Sequence, residues 1–302
     1  MTRSEFLKAA GSAAILAAVG ETFGAEAAAK PGYESIQAEI DKVTPQDYKA
    51  YLAEGPDSGI VGLSALKRLD AAFDKVLSEV KSAVVTDKPA VWLVYNMGIV
   101  VKTKETCFSV DLKHRRAKEL APLLDFALIT HNHDDHYGEA FYKAMDGRGK
   151  TVISNFKDNY GAYFRDRASG GYTRAEKTFK LKDVEIRTSL TDHNGYLADF
   201  TTAFEIRIGE YVIYHSGDCS NVTKLNPTRC PDLWIVHPYC GMGADEGVKK
   251  MQPKLTAIAH LNELGHARDR WRWTWSDGLK AAAKCEAAGG KAVVPVWGER
   301  IV

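Results

Sequence analysis

No run of like charge, no low-complexity stretch and no internal repeat interrupts this chain of 302 residues. Net charge is only +1, with 40 basic against 39 acidic side chains. That balance gives no support for a nucleic-acid surface or an acidic tail. Cysteine is sparse: Cys107, Cys219, Cys230, Cys240 and Cys285 follow no zinc-finger spacing. Histidine is missing from the first 113 residues, and all nine lie beyond them. What remains, 45% hydrophobic and 26% charged, is the composition of an ordinary globular protein long enough to bury a substantial core.

The only long uncharged apolar run is Ala9–Gly20, too short to span a bilayer as a helix. Arg3 and Lys8 precede it, and Ala25-Glu26-Ala27 follows with small residues where a signal peptidase reads. This order predicts a secretory signal over residues 1–27 and an exported, periplasmic or extracellular protein with no stable membrane insertion afterwards. Thr2-Arg3-Ser4-Glu5-Phe6-Leu7-Lys8 also resembles a twin-arginine export motif, with Ser4 in place of the second Arg. Removal of the signal would take away two basic and three acidic residues and leave a charge of +2. In an oxidising compartment five cysteines leave at least one thiol unpaired. Cys107 and Cys285 read as buried single residues, while a pair among Cys219, Cys230 and Cys240 is close enough in sequence for a disulfide.

Residues 28–88 read as a helical extension. Leu63, Leu66, Phe73, Val76, Leu77 and Val80 recur at helical spacing, and Gly55-Pro56-Asp57-Ser58-Gly59 divides the segment. From Ala90 the texture changes to short runs rich in β-branched and aromatic residues. Strands are expected at 90–95, 99–102, 107–110, 126–130, 151–154, 184–190, 202–208, 211–215, 233–236, 256–259 and 292–296. A helix is expected from about Ser276 to Ala288. Strands with helices between and after them predict layered α and β structure over residues 89–302.

The densest chemistry is His131-Asn132-His133-Asp134-Asp135-His136, directly after the apolar strand Phe126–Thr130. In extended chain, residues two apart point the same way, so His131 and His133 can grip one cation together. A turn after His133 would swing Asp135 and His136 toward a second position. Other histidines also follow strands, where loops hold functional groups on a rigid scaffold.

His131-x-His133-x-Asp135-His136 after an apolar strand resembles the signature of the metallo-β-lactamase superfamily. The order continues with His193 in Thr191-Asp192-His193-Asn194-Gly195, Asp218 in Ser216-Gly217-Asp218, and His260 after the strand ending at Ala259. Asp111, ending the strand Cys107–Val110, matches an early supporting Asp. The resemblance covers about Ala90 to Val302 and implies an α/β fold, a four-layer αβ/βα sandwich. It further implies one metal on His131, His133 and His193, and a second on Asp135, His136 and His260, with Asp218 bridging. Two Zn2+ ions are the implied cofactors, with iron or manganese as alternatives, and Asp135 and Asp218 are the implied catalytic carboxylates.

Neighbouring residues are assigned more loosely. His266 rivals His260 as last ligand. Asp134 reads equally as an acceptor for a ligand His or as a solvated side chain, and His237 as a substrate contact or a hydrogen-bonded structural group. His215 is expected to support the Asp218 loop, and His114 to lie at the surface. Trp271, Trp273 and Trp275, alternating with Arg270 and Arg272, read mainly as packing of an irregular segment. The implied activity is hydrolysis of an ester, lactone or phosphoester of a small molecule. β-Lactam hydrolysis is a weaker alternative, since the commonest β-lactamases carry Cys where Asp218 stands. A mononuclear iron dioxygenase is another. Di-iron oxygen reductases of this superfamily typically carry Glu at the position of His133.

Overall fold

A computed structural model describes Lys30 and residues 32–53, 63–155 and 176–302. The proposed signal over residues 1–27 and the Gly55–Gly59 break lie outside the described residues. Among the described residues three helices come first: α1 (Tyr33–Ile40), α2 (Pro45–Ala53) and α3 (Ser64–Ser82). Helix α3 buries Leu66, Leu69, Phe73, Val76 and Val80, the i, i+3, i+4 pattern of one apolar face. No helix among the described residues is long and apolar enough to cross a membrane.

Among the described residues twelve strands then form two sheets. The first contains β1 (Ala90–Tyr95), β2 (Gly98–Lys102), β3 (Cys107–Val110), β4 (Phe126–Leu128) and β5 (Thr151–Ile153), in that order. The second contains β6 (Thr178–Leu181), β7 (Val184–His193), β8 (Leu197–Ile208), β9 (Tyr211–His215), β10 (Leu233–Val236), β11 (Thr256–Ile258) and β12 (Ala292–Val293), in the reverse order β12 to β6. Helix α4 (Glu139–Asp146) follows β4; α5 (Ala244–Met251) and α6 (Trp275–Ala287) flank β11.

Alternation along the strands builds the layers. Val91 and Leu93 join Phe108, Phe126, Leu128, Phe204, Ile206, Ile213 and Ile235 in an apolar core between the two sheets. Trp92 and Val94 point the other way, into a core shared with the helices. Strands covered on both faces read as unbroken apolar runs, as AVWLVY and LWIV do. The result is the expected helix–sheet–sheet–helix sandwich.

The strand expectations hold in position but not everywhere in length. Strand β8 begins at Leu197 rather than 202, because it pairs with β7 along nearly its whole course. Strand β6, with its mixed TFKL sequence, was not expected. Strand β12 is only Ala292–Val293. Two further readings need correction. His114 is buried, not at the surface: its ring stacks on Phe73 at 4.2 Å, and its Nε2 lies 2.7 Å from the Tyr51 hydroxyl and 3.5 Å from Asp70. A cationic ring would be costly there, and burial pushes its pKa down to about 3 against the opposing pull of Asp70. Among Cys219, Cys230 and Cys240 no disulfide forms; all five cysteines are free, with Cys230 exposed and the other four buried.

The early helices are stitched into the sandwich. The Tyr33 hydroxyl donates to the Val294 carbonyl at 2.7 Å, the Trp92 indole to Glu79 at 2.6 Å, and Arg272 to the Val43 carbonyl at 2.7 Å. Phe73→Ala should therefore destabilise the whole molecule by about 3–5 kcal/mol, the usual cost of truncating a buried aromatic. Denaturant unfolding checks this: a lower midpoint in a single transition is expected, and a separate early transition would show that the helices unfold on their own.

Candidate metal centre

The cluster forms where the two sheets meet at one edge. His131 leaves the end of β4, and His193 ends β7. Asp218 follows β9, and His260 follows β11. Backbone hydrogen bonds lock these loops together: Thr202 N to Thr130 O at 2.8 Å, His260 N to Asn96 O at 3.1 Å and Ser220 N to Asp192 O at 2.8 Å. After His133 the chain turns, with His136 N bonded to His133 O at 3.0 Å, and this turn brings Asp135 and His136 inward. Gly217 has a positive φ of 52°, and a Cβ there would sit 2.6 Å from Thr201 Cγ2 and 2.9 Å from Thr130 Cβ. A glycine before Asp218 is thus a steric requirement.

Among the described residues three overlapping donor groups result, two built of histidine and carboxylate alone and a third, His193, Asp218 and Cys240, that adds a thiol to residues of the first two. His131, His133 and His193 each offer a ligand atom within 4.8 Å of the others, and so do Asp135, His136, Asp218 and His260. Asp218 lies between the sets. Its Oδ2 is 3.4 Å from His193 Nε2, 3.9 Å from His131 Nε2 and 3.5 Å from His260 Nε2, and its Oδ1 is 3.3 Å from His136 Nε2. Asp135 Oδ2 is 2.8 Å from His260 Nε2 and 3.3 Å from His136 Nε2. All seven residues expected from the sequence come together. The rival His266 stands apart, with its Nδ1 3.0 Å from Glu263.

The supporting contacts fix which nitrogen faces the centre. Asp111 accepts from Thr130 N at 2.7 Å, from the Thr130 hydroxyl at 2.7 Å and from His136 Nδ1 at 2.9 Å. The hydroxyl proton is spent on Asp111, so His131 Nδ1, 2.9 Å away, must donate to that oxygen. In both rings Nε2 is then the nitrogen that faces inward, and for His136 the effect of burial is overcome by the carboxylates of Asp218, Asp135 and Asp111, which raise its pKa. Those two nitrogens, both nitrogens of His193 and Asp218 Oδ1 are buried without a hydrogen-bond partner. Buried polar atoms left bare at one point, all of them ligand types, are the mark of a cation site.

Charge follows the same logic. Burial opposes ionisation of Asp135 and Asp218, yet the surrounding imidazoles, His136 foremost, hold both carboxyls well below their usual range. Burial and neighbouring rings push His131 and His133 down, keeping them neutral donors. For His260 burial is outweighed by Asp218 and Asp135, which lift its pKa to about 10. The centre is therefore anionic carboxylate and imidazole, the donor chemistry of zinc and its neighbours.

Several contributors escaped the sequence reading. Asn96 donates from Nδ2 to Asp135 Oδ2 at 3.2 Å. The Phe200 ring packs against His131, His133 and His193 at 5.8, 5.1 and 5.7 Å. No local pattern marks either, because both reach the site through tertiary folding. His237 stacks on His260 at 3.8 Å, nearly parallel, and its Nδ1 accepts from Tyr239 N at 3.3 Å, which favours the structural account of it. His215 accepts from Gly217 N at 3.3 Å, supporting the Asp218 loop as expected. Asp134 is exposed. Trp275 is buried, Trp273 stacks on Tyr239, and Trp271 is exposed.

Two outcomes follow from this geometry. Asp111→Asn removes the anionic acceptor behind His136 and should weaken metal binding about 10–100-fold, measured by competition with a chelator. A cation must also displace the proton that His260 carries below pH 10. Apparent metal affinity should thus rise with pH, by up to about tenfold per unit for each proton released. The same competition run from pH ~6 to ~9 checks the sign, and a flat profile would contradict it.

No family model matches the chain. A UPF0173 metal-dependent hydrolase of Symbiobacterium thermophilum is 36% identical over 109 residues, 34% of this chain and 45% of that protein. A second UPF0173 metal-dependent hydrolase, from Methanosarcina mazei, is 23% identical over 46% of this chain and 66% of its own length. The chain thus spans between about half and two thirds of the curated relatives it matches. Among solved structures, the metallo-β-lactamase fold protein YhfI of Bacillus subtilis superposes with a TM-score of 0.51 at 14% identity, over 70% of this chain and 99% of that one. The fold is thus that of metallo-β-lactamase fold proteins, and part of the chain is similar to UPF0173 metal-dependent hydrolases.

Proposed function

We propose that the chain is a metal-dependent hydrolase that binds two zinc ions and cleaves an ester, lactone or phosphoester bond of a small molecule. The observation that carries this reading is the pair of donor sets joined through Asp218. His131, His133 and His193 would hold one cation and Asp135, His136 and His260 the other, with Asp218 shared. Two such ions would lower the pKa of bound water toward ~7 and would polarise the scissile oxygen.

The chain's own groups do the rest. Asp111 and Thr130 hold His136 and His131 in the tautomer that presents Nε2. Asn96 restrains Asp135. Phe200 walls one side of the three imidazoles from water. Asp135 and Asp218 are the candidate catalytic carboxylates, since both remain anionic acceptors at neutral pH. Imidazole and carboxylate donors suit zinc, and the UPF0173 relatives are described as metal-dependent hydrolases. Export belongs to the same proposal and rests on the N-terminal signal pattern alone.

Protein purified without added metal should carry about two zinc ions per chain; stoichiometric iron with little zinc would overturn the zinc reading in favour of oxygen chemistry. Chelation should abolish hydrolysis of a panel of esters, lactones and phosphodiesters, and zinc should restore it. Loss of a supporting group costs about 10–100-fold, so loss of a ligand in His133→Ala should cost more than about 100-fold. Unchanged turnover in that variant would place the reaction elsewhere.

A further inference from the structure

The Cys240 thiol borders the candidate metal centre, on the loop between β10 and α5. That loop is pressed against the segment following Asp218. Gly241 has a φ of 124°, and a Cβ there would lie 2.9 Å from Ser220 Cβ. The Ser220 hydroxyl accepts from Gly195 N at 3.0 Å, and Ser220 N donates to Asp192 O at 2.8 Å. The loops of His193, Asp218 and Cys240 are thus tied at one point. Cys240 itself is 4% exposed, with Sγ 3.0 Å from the Asp218 carbonyl oxygen and 3.5 Å from Asn194 Oδ1.

Sγ lies within 4.8 Å of a ligand atom of His193 and of Asp218. Nε2 and Oδ2 of that pair are already 3.4 Å apart. A tetrahedral cation at ordinary bond lengths keeps nitrogen, oxygen and sulfur donors roughly 3.3–3.6 Å apart, so Sγ closes a gap of about 1 Å. A second observation points to the same place. His193 is 3% exposed, and both its ring nitrogens and Asp218 Oδ1 are buried without a hydrogen-bond partner. Buried polar atoms ordinarily find partners, and these face a sulfur and each other. Burial raises the pKa of the thiol, and a cation that binds sulfur displaces that proton outright. Thiolate, carboxylate and a neutral imidazole then carry two negative charges, which a divalent cation cancels. A neutral assembly suits a position shut off from water.

We propose that Cys240, His193 and Asp218 form a site for a soft, thiophilic divalent cation. Sulfur is the ligand that selects such ions over hard ones. The metal–sulfur bond forms from an electron pair of Sγ as the thiol proton leaves to solvent, and no electron changes hands. His193 and Asp218 are also claimed by the proposed zinc ions, so the two occupancies exclude each other. A soft cation at Cys240 takes His193 away from His131 and His133. The proposal concerns binding alone and stands without the hydrolytic reading.

The test uses the full chain, reduced and stripped of metal by a chelator, with Cys230→Ser removing the exposed thiol. Cadmium alone is titrated in, and the thiolate-to-cadmium charge-transfer band in the ultraviolet is followed. The band should rise and saturate at about one thiolate-bound cadmium per chain. Cys240→Ser, which keeps a hydroxyl for the Asp218 carbonyl, should abolish it, and Cys240→Ala replaces that variant should it not fold. His193→Ala should weaken the binding that produces the band by at least about tenfold. His133→Ala, which lies outside this site, should leave the band intact. A band absent from the parent chain, or surviving without Cys240, overturns the proposal. Equal loss in His133→Ala also overturns it, because sulfur is then an extra ligand of the zinc set and not a site of its own. The zinc content of protein as purified judges the two-zinc reading separately, so the two failures are distinguishable.

Discussion

Two carboxylates, Asp135 and Asp218, are buried at one edge of a sandwich, and that burial is the constraint on which the rest of the site depends. An anion moved out of water is costly unless opposite charge and hydrogen bonds surround it. Here the compensation is imidazole on nearly every side: His136 and His260 for both, with His131 and His193 facing Asp218. Protons on those rings can balance the charge, as the raised pKa of His260 shows. A divalent cation balances it better, since it also satisfies the bare nitrogens that a single proton leaves unmatched. The preference for a cation is thus built into the apolar surroundings as much as into the ligands.

The scaffold supplies the rigidity this requires. The candidate ligands arrive from β4, β7, β9 and β11, which belong to two sheets, so the sheets must keep their spacing for the donor groups to exist. The apolar layer between them, from Val91 and Phe108 to Phe204 and Ile235, holds that spacing. The loops themselves adopt positive φ at Asp111, Gly217 and His260. Backbone in a sparsely populated region persists where neighbours over-determine it, which is common at functional sites.

Much of this was legible in the sequence, for definite reasons. Strands buried on both faces advertise themselves as apolar runs, so β1, β3, β9 and β10 were read with their observed bounds. The grouping of the candidate ligand residues was legible because histidines clustered after such runs. What stayed hidden depends on contacts across the fold. His114 looked like a surface residue in the polar stretch Lys113–Arg116, yet it is sealed under Phe73 and Tyr51 from the N-terminal helices. Strand β6 has no unbroken apolar run, because two of its four residues face solvent. Asn96 and Phe200 carry no motif at all.

The N-terminal helices reach the candidate metal centre as well as the outer core. Tyr48 of α2 packs on Tyr95 at 5.5 Å, and the Tyr95 hydroxyl contacts both Glu263 and Leu264 N, in the loop just after His260. Arg272 extends the link, donating to the carbonyls of Glu263, Leu264 and His266 on one side and of Val43 on the other. A buried guanidinium that collects carbonyls from two segments fixes their separation, because its fork of donors is rigid. The loop that carries His260 is therefore held from below by the sheet and from outside by the helices. Since His260 balances both buried carboxylates, the packing of α2 and the electrostatics of the centre are parts of one arrangement.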